Sequence, residues 1–188
     1  MSSKTKTIKK SSSKNKTLKS SSSKKSSSSK KSSSSKKITC SKRTAIIVPF
    51  RDDKDKIRSK QLKQFLSYMK TYYNDNECYD IFIIEQSDDG RKFNRGKLLN
   101  IGYKITKENN NYTHLIFHDV DLLPSSELLP YYTDSGDKIV HIAKVWKRYD
   151  SDKYFGGVVT FPTALFEKIN GFPNNFWGWG GEDDELYI

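Results

Sequence analysis

Short, continuous apolar runs punctuate the chain from Thr44 onward, whereas the first forty or so residues contain almost none. The runs TAIIVPF (44–50), YDIFIIEQS (79–87) and THLIFHDVDLLP (113–124) do not alternate between apolar and polar positions. Unbroken runs of this length, closed by proline or polar residues, are typical of strands that are buried on both faces. We therefore predict three buried strands in these segments.

The segments between these runs have helical rather than strand periodicity. IRSKQLKQFLSYMKTYY (57–73) places apolar side chains three and four residues apart, and RGKLLNIGYKIT (95–106) is predicted to be a second helix. Further strands are predicted in KIVHIAKVW (138–146) and YFGGVVTFP (154–162). TALFEKINGF is expected to be a short helix that Gly171 caps.

Strands that alternate with helices predict an α/β domain with a mainly parallel central sheet. In such sheets, ligands bind beyond the carboxyl ends of the strands. The polar residues that follow the three strands are Arg51-Asp52-Asp53, Glu85-Gln86-Ser87 and Asp119-Val120-Asp121. The candidate chemistry is therefore expected at one edge of the sheet.

Residues 1–43 differ in composition from the rest of the chain. They contain fifteen lysines and arginines and no aspartate or glutamate, so the net charge of +12 arises in this arm. A Ser/Lys segment this poor in apolar residues cannot offset the entropy of ordering, and we predict that it is disordered. It could bind an anionic partner such as nucleic acid or membrane, accept phosphorylation, or act as a solubilising spacer. The predicted domains are thus residues 1–43 and 44–188.

The two cysteines and the hydropathy of the chain give little information about function or location. Cys40 and Cys78 are too few and too distant in sequence for a disulfide framework or a metal site, so we expect both to be incidental. No stretch approaches the roughly 20 apolar residues of a membrane span, and no signal-peptide pattern follows the basic start. A soluble cytoplasmic location is the default expectation.

The motif HDVDLLP offers two carboxylates at the end of a buried strand. In an extended Asp-x-Asp the side chains of Asp119 and Asp121 would point to the same side. Such oxygen ligands suit Mn²⁺ or Mg²⁺, especially when a diphosphate completes the coordination. The alternative is an acidic surface turn.

The stretch FWGWGGEDDELY places four acids directly after a Gly/Trp loop. Trp177 and Trp179 offer flat faces for a sugar ring, and the glycines allow the backbone to approach a ligand closely. The acids are expected in the first turn of a helix, where they could simply stabilise its dipole. Four together should repel one another and raise some of their pKa values, which suits a general base for a hydroxyl.

Basic side chains complete the set. Arg95 and Lys97 lie at the start of a predicted helix, where free backbone amides and the helix dipole favour binding of a phosphate. Arg51 follows the first predicted strand. A metal-diphosphate site that faces an aromatic sugar platform with a base indicates transfer of a sugar from a nucleotide-sugar. The metal would stabilise the departing diphosphate.

These motifs, in this order and spacing, resemble the β-1,4-galactosyltransferase family: PFR, FNRGKLLNIGY, HDVDLLP, YFGGV and NGFPNNFWGWGGEDDELY. The resemblance covers about residues 44 to 188. It implies the GT-A fold of nucleotide-sugar transferases, Mn²⁺, UDP-galactose as donor, a saccharide or glycoconjugate acceptor, and inversion of the anomeric centre.

The resemblance also implies roles for individual residues. Contacts to the uridine nucleotide would come from Pro49, Phe50, Arg51, Phe93, Arg95, Asp119 and Val120. The donor sugar and its diphosphate would be bordered by Gly157, Trp179, Glu182 and Lys144. The acceptor side would comprise Tyr154, Gly181 and Asp184, and Tyr154 matches a tyrosine that restricts the donor to galactose. Asp183 would be the catalytic base and Asp121 the manganese ligand.

The chain also departs from the family pattern. Asp53 stands where the family often has a second arginine after PFR, and no membrane anchor is visible. The family's histidine ligand to manganese lies well beyond the EDD motif, so we expect a domain that is incomplete at its C-terminus. The open alternatives are an inactive or weak sugar-nucleotide-binding remnant and an interaction protein with a basic tail. The acceptor, N-acetylglucosamine, xylose or another sugar, is left open.

Overall fold

The computed structural model of the chain describes residues 4–7, 40–73, 78–109, 112–152 and 154–186. The predicted disorder of residues 1–43 lies mostly outside these ranges. The strands are β1 (Lys4–Thr7), β2 (Thr44–Phe50), β3 (Tyr79–Glu85), β4 (His114–His118), β5 (Val140–His141) and β6 (Val158–Pro162). The α-helices are α1 (Ile57–Tyr72), α2 (Arg95–Asn109), α3 (Leu129–Thr133) and α4 (Thr163–Lys168). Short 3₁₀ turns span Ser126–Leu128, Ile142–Val145, Lys147–Tyr149 and Asp184–Leu186.

The six strands form one mixed sheet in the order β1-β3-β2-β4-β6-β5. Its centre is parallel: Ile46 of β2 lies opposite Ile81 of β3 and Ile116 of β4. The outer strands β1, β6 and β5 each pair in the antiparallel sense. The α/β class predicted from the sequence is confirmed. The sheet, predicted to be mainly parallel, is mixed, with parallel pairing at its centre and antiparallel pairing at its outer strands.

The continuous apolar runs follow from burial on both faces of the sheet. Ile46 and Val48 pack on one face with Phe65 and Met69 of α1. Ala45 and Ile47 belong to the opposite face, which α2 covers with Leu98 and Leu99. Because side chains alternate along a strand, residues one apart supply two separate cores.

Several predicted strands are shorter than their apolar patterns. β4 ends at His118, because Asp119–Asp121 form a turn in which the amide of Leu122 donates to the carbonyl of Asp119. Of 138–146, only Val140–His141 is strand, and the chain then winds into a 3₁₀ turn. Helices α1 and α2 lie where the sequence predicted them. After α4 the first left-handed residue is Asn170, with a φ of 60°, rather than the predicted cap Gly171, which follows with a φ of 77°. The amide of Asn170 donates to the carbonyl of Glu167 and the amide of Gly171 to that of Phe166, so the two residues end the helix together.

Strand β1 lies within the arm for which the sequence predicted no secondary structure. Its residues pair with Phe82–Glu85 at the edge of the sheet. An edge strand needs only backbone hydrogen bonds to one neighbour, so its formation leaves no apolar signature in the sequence. Within the described part of the chain, no helix is long and apolar enough to cross a membrane.

Cys40 and Cys78 form a disulfide, so the expectation that both are incidental is wrong. Their Cα atoms lie 5.4 Å apart, although 38 residues separate them in sequence. They precede the neighbouring parallel strands β2 and β3, and the amide of Thr44 donates to the carbonyl of Cys78 at 3.0 Å. The strand register therefore brings the two thiols together, which spacing along the chain could not reveal.

Candidate active site

A cavity of about 630 Å³ opens beyond the carboxyl ends of β2 and β4. This is the edge at which the sequence predicted the chemistry. Of the residues proposed from the sequence, it is lined by Pro49, Phe50, Arg51, Phe93, Arg95, Asp119, Val120, Asp121, Tyr154, Trp179, Glu182, Asp183 and Asp184.

One wall of the cavity combines a cation with an aromatic ring. The guanidinium of Arg51 lies 5.5 Å from the ring centroid of Phe93 and donates to the carbonyl of Arg91 at 2.7 Å. The loop after β3 is held by Gln86, which donates to the carbonyl of Lys92 and accepts from the amide of Asn94. This wall can present a flat face to a base and a positive charge to a phosphate.

A buried ion triad forms the floor of the cavity. Arg95 Nε lies 2.8 Å from Asp119 Oδ1, and its Nη1 lies 3.4 Å from Glu182 Oε1. Only 13% of the Arg95 side chain is exposed. Burial opposes its charge, but the two carboxylates more than offset this and the pKa of Arg95 is raised. Arg95 thus joins the loop after β4 to the Gly/Trp loop.

Glu182 has the opposite balance. Burial raises its pKa, while the guanidinium of Arg95 acts to lower it and the nearby charge of Asp183 raises it further. The net direction is upward. A raised pKa was expected from repulsion among the acids. The direction holds at Glu182, but burial is its leading cause and the charge of Asp183 is a smaller one.

The four consecutive acids divide into two pairs. Glu182 and Asp183 are buried, whereas Asp184 and Glu185 are exposed. The residues from Asp184 to Leu186 form a 3₁₀ turn in the described chain, where the sequence predicted the start of a helix. Turning two acids inward and two outward reduces the mutual repulsion that made the run unusual.

The preceding glycine loop makes this arrangement possible. Gly178, Gly180 and Gly181 have φ values of 114°, 84° and 99°, a backbone region that other residues rarely adopt. The amide of Gly178 donates to the carbonyl of Phe93 at 2.7 Å, which ties the loop to the cation-aromatic wall. The loop leaves Trp179 at the cavity mouth with 97% of its surface exposed, open to a sugar ring.

Asp183 and Tyr154 meet over Gly156. A side chain at Gly156 would overlap both the Asp183 carboxylate and the Tyr154 hydroxyl, so only glycine leaves room for this pair. Tyr154 also stacks on Tyr149, with ring centroids 5.0 Å apart and planes inclined by 12°. Burial, followed by the charge of Asp119, raises the pKa of Tyr154, which keeps its hydroxyl protonated.

Asp121 lies at the cavity wall between two arginines. Its Oδ2 is 3.2 Å from Arg58 Nη1 and 3.6 Å from Arg148 Nη2. Asp119 faces Arg95 instead, so the turn directs the two carboxylates to different partners rather than to one side of an extended strand. The two arginines and Tyr149 were not identified from the sequence, because only the folded chain brings their segments to Asp121.

The cavity lining contains Asp121, the residue that was predicted to bind a divalent cation. Asp121 supplies hard carboxylate oxygens at the cavity wall, which suits Mn²⁺ or Mg²⁺. Within the described ranges, no three His, Cys, Asp or Glu side chains come together as a metal-binding group. His118 is buried and bonded to Tyr132 and the Asp119 carbonyl, and His141 bonds to the Gly156 carbonyl. Among the residues predicted from the sequence, Asp121 therefore remains the candidate cation ligand at the cavity wall.

Five of the side chains or glycines proposed for the site lie outside the cavity lining, namely Lys97, Lys144, Gly157, Trp177 and Gly181. Lys144 is exposed and pairs with Asp152 at 2.8 Å. Gly157 lies behind the cavity, packs near Ala143, and accepts a hydrogen bond from the Asp119 amide at 2.9 Å. Gly181 is against the ring of Phe176. The two glycines shape the loops, and neither contacts the cavity.

Family models match nearly the whole chain. The N-terminal region of glycosyl transferase group 7 matches residues 2–134, and the N-terminal domain of galactosyltransferase matches residues 138–188. Human β-1,4-galactosyltransferase 4 is 39% identical over 149 residues, which are 78% of this chain and 42% of the relative. Bovine β-1,4-galactosyltransferase 1 is 38% identical over 148 residues, 77% of this chain and 35% of the relative.

A solved structure is similar in fold as well. It is a mutant Drosophila β-1,4-galactosyltransferase 7 in complex with manganese, UDP-Gal and xylobiose, with a TM-score of 0.68 and 34% identity. The match covers 78% of this chain and 59% of that one. The chain thus spans less than half the length of the curated relatives described above.

Proposed function

Because the chain belongs to the β-1,4-galactosyltransferase family, we propose that its cavity transfers galactose from UDP-galactose to a sugar hydroxyl. The observation that carries this proposal is the position of Asp183. It is buried beside Tyr154 over Gly156, in the same cavity as the cation-aromatic wall of Arg51 and Phe93. A proton acceptor and a nucleotide wall in one cavity are what glycosyl transfer needs.

In this mechanism Asp183 accepts the proton of the acceptor hydroxyl as that oxygen attacks the anomeric carbon. Attack on the face opposite the departing diphosphate inverts the configuration at that carbon. Trp179 offers its exposed face to a sugar ring, and Glu182, held by Arg95, lies next to the base. Arg51 and Phe93 bind the uridine nucleotide, and the Tyr154 hydroxyl restricts the space around the donor.

Manganese is the cation that we propose for Asp121, because the similar Drosophila protein contains manganese together with UDP-Gal. When bound, the cation would act as a Lewis acid on the diphosphate. Asp121 is the described residue that would hold it, and Mg²⁺ is the alternative ion with the same ligand preference.

The acceptor is proposed only as a class. The similar Drosophila structure contains xylobiose, and the exposed Trp179 is suited to any pyranose face. Xylose-containing and N-acetylglucosamine-containing saccharides are therefore the first acceptors to test. The anionic partner suggested for the basic arm concerns residues that lie mostly outside the described ranges.

Release of UDP from UDP-galactose, with and without Mn²⁺ and each acceptor, tests the proposal. Wild type should release UDP in an acceptor-dependent manner, and Asp183→Asn should do so roughly 10²- to 10⁴-fold more slowly. A matched control is Glu185→Gln, which changes an exposed acid two residues away. Binding of UDP without turnover in wild type would instead support the alternative of a nucleotide-binding remnant.

The compartment is a separate proposal. Disulfides persist mainly in oxidising environments, so the pairing of Cys40 with Cys78 favours such a compartment over the cytoplasmic default. Alkylation of the protein purified from its natural host, before and after reduction, tests this. Two thiols that react only after reduction are expected, and immediate labelling of both would contradict the proposal.

A further inference from the structure

We propose that Arg58 and Arg148 form an arginine pair that binds the donor diphosphate and that holds Asp121 when no cation is bound. This inference rests on the proposed function, since it names the residues that would receive the diphosphate of the sugar nucleotide. It assigns a role to two side chains that the sequence motifs did not single out.

Both arginines converge on one oxygen atom. Arg58 lies in the first turn of α1 and Arg148 in the 3₁₀ turn Lys147–Tyr149, and each guanidinium contacts Oδ2 of Asp121. Arg58 Nη1 also donates to Gln61 Oε1 at 3.0 Å, which fixes its direction along the helix. Two segments separated by 90 positions in the sequence therefore deliver positive charge to a single carboxylate.

Arg148 is also oriented by aromatic contacts. Its guanidinium lies 4.4 Å from the ring centroid of Tyr149, and Tyr149 stacks on Tyr154. Both tyrosines line the cavity. Stacking on an aromatic face limits the freedom of the guanidinium, so less entropy is lost when it binds an anion.

Positive charge is in excess immediately around Asp121, although acidic residues outnumber basic ones over the whole cavity lining. One carboxylate faces two guanidinium groups, which leaves an excess of positive charge at this wall. About half of each arginine side chain is exposed, compared with 22% of Asp121. Arg58 lines the cavity, and Arg148 lies outside the lining but contacts Asp121, which is part of it. The guanidinium group binds phosphate oxygens through two parallel hydrogen bonds.

Lys54 is a further cation in the cavity lining, and the other two arginines there also have partners within the protein. Arg95 pairs with Asp119 and Glu182, and Arg51 donates to the Arg91 carbonyl. Asp53, close after Arg51, is an exposed acid that adds negative rather than positive charge to the cavity lining. The arginine pair therefore adds positive charge for a diphosphate at the wall that contains Asp121, in addition to Arg51 and Lys54.

The same geometry predicts competition at Asp121. Two guanidinium groups already contact Oδ2 of Asp121, so their positive charge opposes a divalent cation at this carboxylate and weakens binding of the bare ion. A diphosphate would give both guanidiniums a new partner and would remove this opposition. Binding of cation and nucleotide should therefore reinforce each other through these two side chains.

The test measures two affinities that should change in opposite directions. For wild type, Arg58→Gln, Arg148→Gln and the double variant, binding of Mn²⁺ alone is measured by electron paramagnetic resonance. Binding of UDP at saturating Mn²⁺ is measured by calorimetry. The double variant should bind Mn²⁺ alone several-fold more tightly, and each single variant should bind UDP about tenfold more weakly. Arg58→Lys should lose less UDP affinity than Arg58→Gln, because it keeps the charge.

A control comes from Lys107→Gln, which removes a charge paired with Glu167 away from the cavity. It should change neither affinity. If the arginines only support the fold, both affinities will fall together in the double variant, and the proposal is overturned. Unchanged UDP affinity in the variants also overturns it. If wild type itself binds no UDP, the proposed function fails, whereas the Mn²⁺ measurement still decides whether the pair opposes the cation.

Discussion

Arg95 Nε lies 2.8 Å from Asp119 Oδ1, and this contact joins the loop after β4 to α2, the helix that follows the cation-aromatic wall. The same guanidinium reaches Glu182, so a single side chain fixes three segments of the cavity. The arrangement has a cost, because three charged groups are largely removed from water. The triad is stable only while the positive charge of Arg95 lies between the two carboxylates.

Replacement of Arg95 by methionine should therefore destabilise the domain by about 3–5 kcal/mol, since it leaves two buried carboxylates without their partner. Urea unfolding monitored by tryptophan fluorescence measures the change. Removing the carboxylates as well, with Asp119→Asn and Glu182→Gln, should recover part of the loss. Arg91→Gln is the matched control, because that side chain is mostly exposed and should change stability little.

Replacement of Asp183 by asparagine should lower the rate of transfer roughly 10²- to 10⁴-fold, the range expected for loss of a general base. UDP binding should be retained, because the cation-aromatic wall is unchanged. The rate is measured in single turnovers with saturating UDP-galactose. A parallel loss of UDP affinity would mean that Asp183 maintains the structure of its loop and does not act as the proton acceptor.

Reduction of the disulfide should cost the domain roughly 4 kcal/mol, the loop-entropy value for a closed loop of this length. Guanidinium unfolding with and without dithiothreitol measures the difference. The variant with both Cys40→Ser and Cys78→Ser should have the stability of reduced wild type and should not respond to dithiothreitol. If reduction leaves wild-type stability unchanged, the disulfide contributes nothing to the fold.

The sequence predicted the central sheet well because Ile46, Ile81 and Ile116 belong to strands buried on both faces, whose apolar runs are continuous. It also located Asp119 and Asp183 at the cavity, since both follow segments with strong local signals. What it missed depends on contacts between distant segments. The pairing of Cys40 with Cys78 follows from strand register.

The arginine pair was missed for a related reason. Arg58 looks like an ordinary solvent-facing residue of an amphipathic helix, and only the folded turn after β4 brings Asp121 to it. Lys144 shows the converse, because its segment is a 3₁₀ turn that directs the side chain to Asp152 rather than into the cavity. Both cases depend on tertiary positions that hydrophobic periodicity does not encode.

His118 should make the stability of the metal-free protein depend on pH. Burial lowers its pKa to about 4, while its ring bonds to the Asp119 carbonyl and to Tyr132. Between this value and the usual pKa of about 6.5, the unfolded chain binds a proton that the folded chain does not. Stability from this group is therefore complete above about pH 6.5 and falls as the pH is lowered, by about 2 kcal/mol between pH 7 and pH 5.

Urea unfolding in the presence of a chelator, at several values in this pH range, measures the effect. His118→Gln should flatten the pH dependence, whatever its own stability at neutral pH. The comparison isolates His118 from Glu182, whose raised pKa acts in the opposite direction, because an acid with a raised folded-state pKa gains stability as the pH falls. An unchanged slope in His118→Gln would show that the histidine is not held neutral by its buried position.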